Sequence, residues 1–271
     1  MSLLSPDSLS VFLSPDGVLA VSRRGWRGRI GEKRVYPVEA AAGGWNAALA
    51  ALSVALREFR CGRLRVVLSN HFAQYQLLPW RDDLADDDEA AALVRIGFHE
   101  TFGNSAEAWD IRLSDDAPGR TRIAAAVPRE LLGALAKVAA DAKVRLAAVQ
   151  PYLTVGFNAW RQHFGPGRSA WLVLHEEGRL CFALLEQGRW RWVRNLRAGA
   201  DWLEDLPDLV ESESLLAGAE ALPAEVLVFA PGVPDLAVRA GSRLPLRSLR
   251  LEAQAGFSPL TDAAFGLALI G

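Results

Sequence analysis

Three groups of residues in this sequence are of a type that does chemistry. The first is a pair of short tips, Ser14-Pro15-Asp16-Gly17 and His175-Glu176-Glu177-Gly178, each set between apolar runs. Hydroxyls, carboxylates and glycines on tight turns are where backbone amides meet phosphates or metals. The second is the acidic run Asp82, Asp83, Asp86, Asp87, Asp88 and Glu89. Such a run has the hard oxygen ligands a divalent cation needs, but not the spacing of a calcium loop. It reads better as a solvated linker leading into a helix cap. The third is the histidines. His71 and His99 would make a pair if their segments packed together, but no cysteine or third ligand accompanies them. Ser69-Asn70-His71 lacks the G-x-S-x-G frame of a nucleophile elbow. No catalytic residue and no metal site is assigned.

Cys61 and Cys181 each sit among apolar residues without a C-x-x-C partner, so neither a disulfide framework nor a zinc site is expected. The net charge of −2 singles out neither nucleic acid nor an acidic partner. The first residues lack a basic signal-peptide start, and no run approaches the roughly 18 apolar residues of a membrane span. A cytoplasmic protein without its own anchor is expected.

The elements that must position these residues follow from periodicity. Stretches 9–13 and 18–22 flank the first tip as a hairpin, and 29–30 with 35–38 offer a further strand pair. A helix over 45–59 follows Gly43-Gly44 and stops at Cys61-Gly62. Stretch 64–68 is a short strand buried on both faces. A strand over 75–78 stops at Pro79, and a helix runs from the acidic residues at 86–89 to Phe102. Strands over 109–113 and 121–127 precede a helix over 129–142 that starts beside Pro128. A strand over 144–149 and a helix over 152–163 close the first half, and the Gly-Pro-Gly within 164–169 marks a boundary. The second half runs as a ribbon over 171–196, a helical region over 202–219 interrupted at Pro207, and a strand over 226–230. Weaker strands around 236–240 and 246–251 and a helix over 260–269 complete it.

The two tips belong to a repeat. Aligning Gly17 with Gly178 matches 13–19 to 174–180, and Gly25-Trp26-Arg27 matches Gly188-Arg189-Trp190 after two extra residues. Any two meanders look alike, but here each half continues as ribbon, helix, apolar strand and helix, which favours duplication. The ribbons also interleave Arg with Trp, over 23–34 with Trp26 and over 189–197 with Trp190 and Trp192. Such surfaces hold single strands or anionic lipids. Period-two alternation instead points Trp190 and Trp192 one way and Arg189 and Arg191 the other, as one packed and one solvated face.

The chain resembles the actin-like ATPase superfamily, in the branch of PilM and the GspL cytoplasmic domain, inner-membrane platform proteins of type IV pili, MSHA-type pili and type II secretion. The resemblance is carried by "HFAQYQLLPWRDDLADDDEAAALVRIGFHETFG", a strand that stops at a proline before an acidic helix start, and by "TRIAAAVPRELLGALAKVAADAKVRLAAVQPY". The second ribbon and the closing "AAFGLALIG" extend it over nearly the whole chain. It implies an α/β fold of two ribonuclease-H-like halves, 1–163 and 168–271, with a small subdomain inserted into the first at about 72–116. Nucleotide-binding relatives close such halves over ATP and a divalent metal, using ribbon tips rich in N–H and hydroxyl donors and a Gly-Gly turn for adenosine. This chain departs at each place. Pro15 removes a donor, Glu176 and Glu177 would repel phosphate, and Ala230-Pro231 replaces the glycine pair. Ser14, Asp16, Gly17 and His175, Glu176, Glu177, Gly178 therefore read as degenerate phosphate loops, and no ATP or magnesium cofactor is expected.

The role the resemblance implies is a non-catalytic cytoplasmic platform, peripheral to the inner membrane, that binds the tail of a PilN-like single-span partner. The tail would dock between the inserted subdomain and the first core. Candidates there are Phe72, Tyr75, Leu78 and Trp80, with Leu93 and Phe98 opposite; each has packing in the subdomain's own core as its other reading. The assembly ATPase is a second expected partner, nucleic acid is not expected, and self-association is open. The alternatives are an active ATPase of the same fold, and a nucleic-acid or membrane-surface binder that uses the Arg/Trp ribbons.

Overall fold

The computed structural model describes residues 7–25, 28–38, 44–84, 86–219, 225–233, 236 and 245–271. The chain divides into two compact units. The first comprises Met1–Phe72, Arg129–Ala159 and Arg250–Gly271, and the second Ala73–Pro128 and Trp160–Leu249.

In the first unit, β1 (Ser8–Ser14), β2 (Gly17–Arg24) and β3 (Arg29–Pro37) form an antiparallel meander. Helix α1 (Asn46–Phe59) leads to β4 (Arg63–Leu68), which pairs parallel with β1. After the inserted segment, α3 (Arg129–Asp141) leads to β8 (Arg145–Pro151), parallel to β4. The sheet order is β3-β2-β1-β4-β8. Both faces of β1 are apolar where it is covered: Leu9, Val11 and Leu13 are fully buried on one, and Phe12 meets Tyr152 of α4 (Tyr152–Trp160) edge-on at 5.5 Å on the other. The expected strand pair at 29–30 and 35–38 is one strand, because a bulge opposite Ser22 absorbs the irregularity between them. The closing helix is shorter than expected. A 3-10 turn at Ala263–Phe265 precedes α6 (Gly266–Leu269).

The second unit repeats the plan. Strands β9 (Ala170–Glu176), β10 (Arg179–Glu186) and β11 (Arg189–Arg197), helix α5 (Trp202–Leu216), β12 (Glu225–Phe229) and β13 (Leu246–Ser248) give the order β11-β10-β9-β12-β13. Its core joins Trp171, Val173, Phe182, Leu184 and Val228 of the sheet to Leu203, Leu206 and Val210 of α5. The expected break at Pro207 does not occur. The missing N–H costs one bond of the helical ladder, while the ring joins the buried face. The strand expected at 236–240 lies outside the described residues apart from the buried Leu236, and β13 is shorter than the expected 246–251.

Register makes the two sheets comparable position by position. Ser14 pairs with Gly17 and Glu176 with Arg179, so the two hairpins are equally long. The turn Pro15-Asp16 thus corresponds to Glu177-Gly178, one residue away from the alignment made through the glycines. The glycines do different jobs. Gly17, at φ +137°, opens β2 hard against the Tyr36 carbonyl, whereas Gly178, at φ +70°, lies inside its turn.

A second correction concerns the tryptophans of β11. Leu184 pairs with Trp192 and Leu185 with Trp190, so Arg191 is the extra residue of a bulge. Leu184 and Trp192 face the α5 core, and Trp190 therefore lies on the other face, where it is also buried.

The inserted segment forms β5 (Gln74–Leu78), α2 (Asp87–Phe102), β6 (Trp109–Leu113) and β7 (Arg122–Pro128), with sheet order β5-β7-β6. The central strand is β7, so the insertion runs on to Pro128 instead of ending near 116. Asp86 caps α2 by accepting the Glu89 N–H at 2.9 Å. Val94, Phe98, Ala124 and Ala126 form its core, with Phe102 and Trp109 packed around Phe98. Asn195 of β11 donates from Nδ2 to the Ala73 carbonyl at 3.0 Å, tying the insertion to the second five-stranded sheet within the same unit.

Candidate functional site

At the end of β5, Pro79 has no N–H to continue the sheet, and the chain turns out through Trp80 and Arg81. The start of α2 and the β6–β7 connection approach from either side. Together they enclose a cavity of about 360 Å³ lined by Leu78, Pro79, Trp80, Arg81, Leu84, Asp86, Asp87, Ala90, Arg120 and Arg122. Apolar Leu78, Pro79, Trp80, Leu84 and Ala90 share the lining with charged Arg81, Asp86, Asp87, Arg120 and Arg122. Arg122 ties the lining elements together. Its side chain is 15% exposed, pairs with Asp87 at 2.7 Å and donates to the Ser114 carbonyl at 2.6 Å. Arg81 forks onto Asp83 through bonds of 2.9 and 2.6 Å, and the two-pronged hydrogen bond lowers the Asp83 carboxyl below its usual range. Trp80 donates its indole N–H to Asp82 at 2.7 Å and leaves the ring 43% exposed. A large aromatic anchored by its edge, with an open face beside an apolar hollow, suits a peptide side chain.

Of the residues expected to hold a partner, Leu78 and Trp80 line this cavity. Leu93 is half-buried on α2. Tyr75 is buried mid-strand, and Phe98 is fully buried in the insertion's own core. Phe72 belongs to the first unit, buried edge-on against Trp45 at 6.3 Å. Arg81, Leu84, Arg120 and Arg122 line the cavity as well. The sequence signal for the last two is the Gly-Arg-Thr-Arg entry to β7, whose arginines gain meaning only once β7 is known to pair with β5.

The two ribbon tips differ in the donors they present. In the first, Pro15 has no N–H, the Asp16 carbonyl accepts the Val38 N–H at 2.8 Å, and the Ser14 hydroxyl donates to the Gly17 carbonyl at 3.4 Å. In the second, His175 stacks on Trp202 at 4.3 Å, and burial pushes its imidazole down to about 4, so it is neutral at pH 7. Glu176, next along the strand, is buried on the opposite face, while Glu177 stands exposed on the turn. At Ala230–Gly232 the chain makes a turn closed by Val233 N–H to Ala230 at 3.2 Å, with Pro231 inside it. Among the described residues no group of three or more His, Cys, Asp or Glu could hold a metal ion, and no helix is long and apolar enough to cross a membrane.

No family model and no curated protein matches the chain. Solved structures do. A PilM–PilN type IV pilus biogenesis complex matches with a TM-score of 0.70 at 13% identity, over 97% of this chain and 96% of that one. The cytoplasmic domain of EpsL, an inner-membrane component of the Vibrio cholerae type II secretion system, matches at 0.59 and 11% identity, over 98% and 95%. A Bacteroides thetaiotaomicron protein with an actin-like ATPase fold and unknown function matches at 0.59 and 11%, over 86% and 85%. The fold is actin-like.

Proposed function

We propose that the chain is a non-catalytic cytoplasmic platform protein of a type IV pilus or type II secretion-like assembly, and that it binds the cytoplasmic tail of a single-span inner-membrane partner. The observation that carries this reading is the near end-to-end likeness to the PilM–PilN type IV pilus biogenesis complex. The cavity beside Trp80 adds a place for the tail, with apolar lining residues for an anchor side chain and charged ones for orientation. A scaffold rather than an ATPase is favoured by the two tips, one closed on itself and one carrying Glu177. The test is titration calorimetry with a synthetic peptide of the cytoplasmic tail of a PilN-like single-span inner-membrane protein. Trp80→Ala should weaken binding at least about tenfold, and an unchanged affinity would remove the cavity from the model. ATP with magnesium should leave the melting temperature unmoved. A clear upward shift would overturn the non-catalytic reading.

A further inference from the structure

One pole of the first sheet carries an unbalanced positive charge. Strands β1, β4 and β8 begin there and β2 ends there, at the end away from the Pro15-Asp16 turn. Three hydrogen bonds knit these ends together. The Gly25 N–H donates to the Asp7 carboxylate at 3.1 Å, the Gly62 N–H to the Asp7 carbonyl at 2.9 Å, and the Arg145 N–H to the Gly62 carbonyl at 3.1 Å. Register then places four arginines on one face. Ser8 lies opposite both Arg23 and Arg63, Ser10 opposite Arg65, and Arg63 opposite Arg145. From β2 to β8 the set spans three strand spacings, about 14 Å. Arg60 and Lys143, both exposed, sit in the turns beside it.

The charge of this set exceeds what surrounds it. Arg63, Arg65 and Arg145 are exposed and form no ion pair among the described residues. Of the acids close by in sequence, Asp7 accepts the Gly25 N–H and offsets one charge of the set, and Asp141 pairs with Lys137 at 3.2 Å. Arg23 is held inward by bonds to Ser10 and to the Leu269 carbonyl, both 3.1 Å. Burial and the neighbouring charge of Arg65 pull its guanidinium below its usual range. The fold does not require this. At the corresponding positions of the second sheet stand Leu185, Glu225, Leu227 and Pro245, and there Arg247 lies 3.9 Å from Glu225. Like charges on neighbouring strands repel, so four in one patch point to an anion supplied from outside.

We propose that this pole docks on the anionic phospholipid surface of a membrane. The breadth of the patch favours an extended sheet of phosphates over a single small anion, and each basic side chain near such a surface strengthens binding about fivefold. The choice of a membrane rests on the platform reading above; the charge pattern stands without it.

The experiment is co-sedimentation of the full chain, without partner, with vesicles of phosphatidylcholine alone or containing phosphatidylglycerol. Binding is expected only to the phosphatidylglycerol vesicles, and it should fall as salt is raised. The triple substitution Arg63→Gln, Arg65→Gln, Arg145→Gln should cost about a hundredfold, and the triple Arg→Lys should keep most of the binding. The single Arg145→Gln, at an exposed strand end, should cost about fivefold, which keeps the test decisive if the triple variant folds poorly. Arg112→Gln with Arg189→Gln should change nothing. Failure of the wild-type chain to bind phosphatidylglycerol vesicles, or equal binding by the glutamine variants, overturns the proposal. So does displacement from the vesicles by a lower concentration of duplex DNA, which would make the patch a nucleic-acid site. Tail-peptide calorimetry separates the two readings: a wild-type chain that binds the vesicles but not the tail peptide counts against the platform reading alone, and one that binds the peptide but not the vesicles counts against the membrane proposal alone.

Discussion

The two five-stranded sheets have the same strand order and the same hairpin length, yet almost every corresponding position outside the central apolar stripe differs in kind. Where β1 has Leu9 and Leu13 facing its helices, β9 has Trp171 and His175. Where the first sheet gathers Arg23, Arg63, Arg65 and Arg145, the second has Leu185, Glu225, Leu227 and Pro245. The helices differ to match. The buried residues of α1 are Ala48, Leu49, Leu52, Ala55 and Leu56, all apolar, whereas α5 buries Glu213 and Ser214 along with its leucines. The lesson is that alternation of buried residues suffices to hold the topology. The strand ends and the helix-facing positions are left to diverge, one sheet towards exposed charge and the other towards polar links inside its core.

The contrast is tested most severely at the first of those pairs. Trp171 is fully buried, meets Phe182 edge-on at 5.7 Å and donates its indole N–H to Ser214 at 3.0 Å. Trp171→Ala should cost about 4 kcal/mol, and Leu9→Ala at the matching position about 3 kcal/mol, measured by urea unfolding. The larger loss is expected because the tryptophan vacates more volume and leaves the Ser214 hydroxyl without its donor. A greater loss at Leu9 would show that the apolar sheet, not the hooked one, carries more of the stability.

His175 and Leu13 give the next comparison, since only one of them titrates. In the unfolded chain the imidazole has its usual value of 6.5, whereas burial holds it at about 4 in the fold. Above pH 6.5 it is neutral in both states and adds no pH dependence. As pH falls from about 6.5 to 4 only the unfolded chain takes the proton, so stability drops, by about 3 kcal/mol, and levels off below. His175→Leu, which copies the first sheet, should flatten that part of the stability curve. A slope that survives the substitution would place the acid sensitivity elsewhere.

Much of this architecture could be read from the sequence because it rests on local signals. The Asp86 cap, the stop at Pro79 and the end of α1 just before Cys61-Gly62 are each written within a few residues. What could not be read depends on register. The Arg191 bulge moves Trp190 to the opposite face by adding one residue to one strand, and nothing in Arg189-Trp190-Arg191-Trp192 marks where that residue goes. The match of Gly17 to Gly178 failed for a related reason, because a glycine can serve inside a turn or just after it. The cavity residues fell between these cases. Leu78 and Trp80 lie on one strand end and were found together, while Arg122 reaches the site only through the pairing of β7 with β5.

The smallest effect is expected where α5 holds β11. Glu213 is almost fully buried, and its carboxylate accepts the Trp192 indole N–H at 2.8 Å and the Arg194 guanidinium at 3.0 Å. Arg194 is about half exposed, so solvent screens its share of the interaction. Glu213→Gln keeps the shape and one acceptor oxygen, but its amide group must point N–H donors at one of two donors. That leaves one hydrogen bond lost, worth about 1–2 kcal/mol in urea unfolding. Trp192→Phe removes the competing donor, so the double variant should recover part of the loss if the two side chains are coupled. Additive losses would mean that Glu213 acts on Arg194 alone, and that the polar link of the second sheet is an ion pair at its edge instead of a hook into its core.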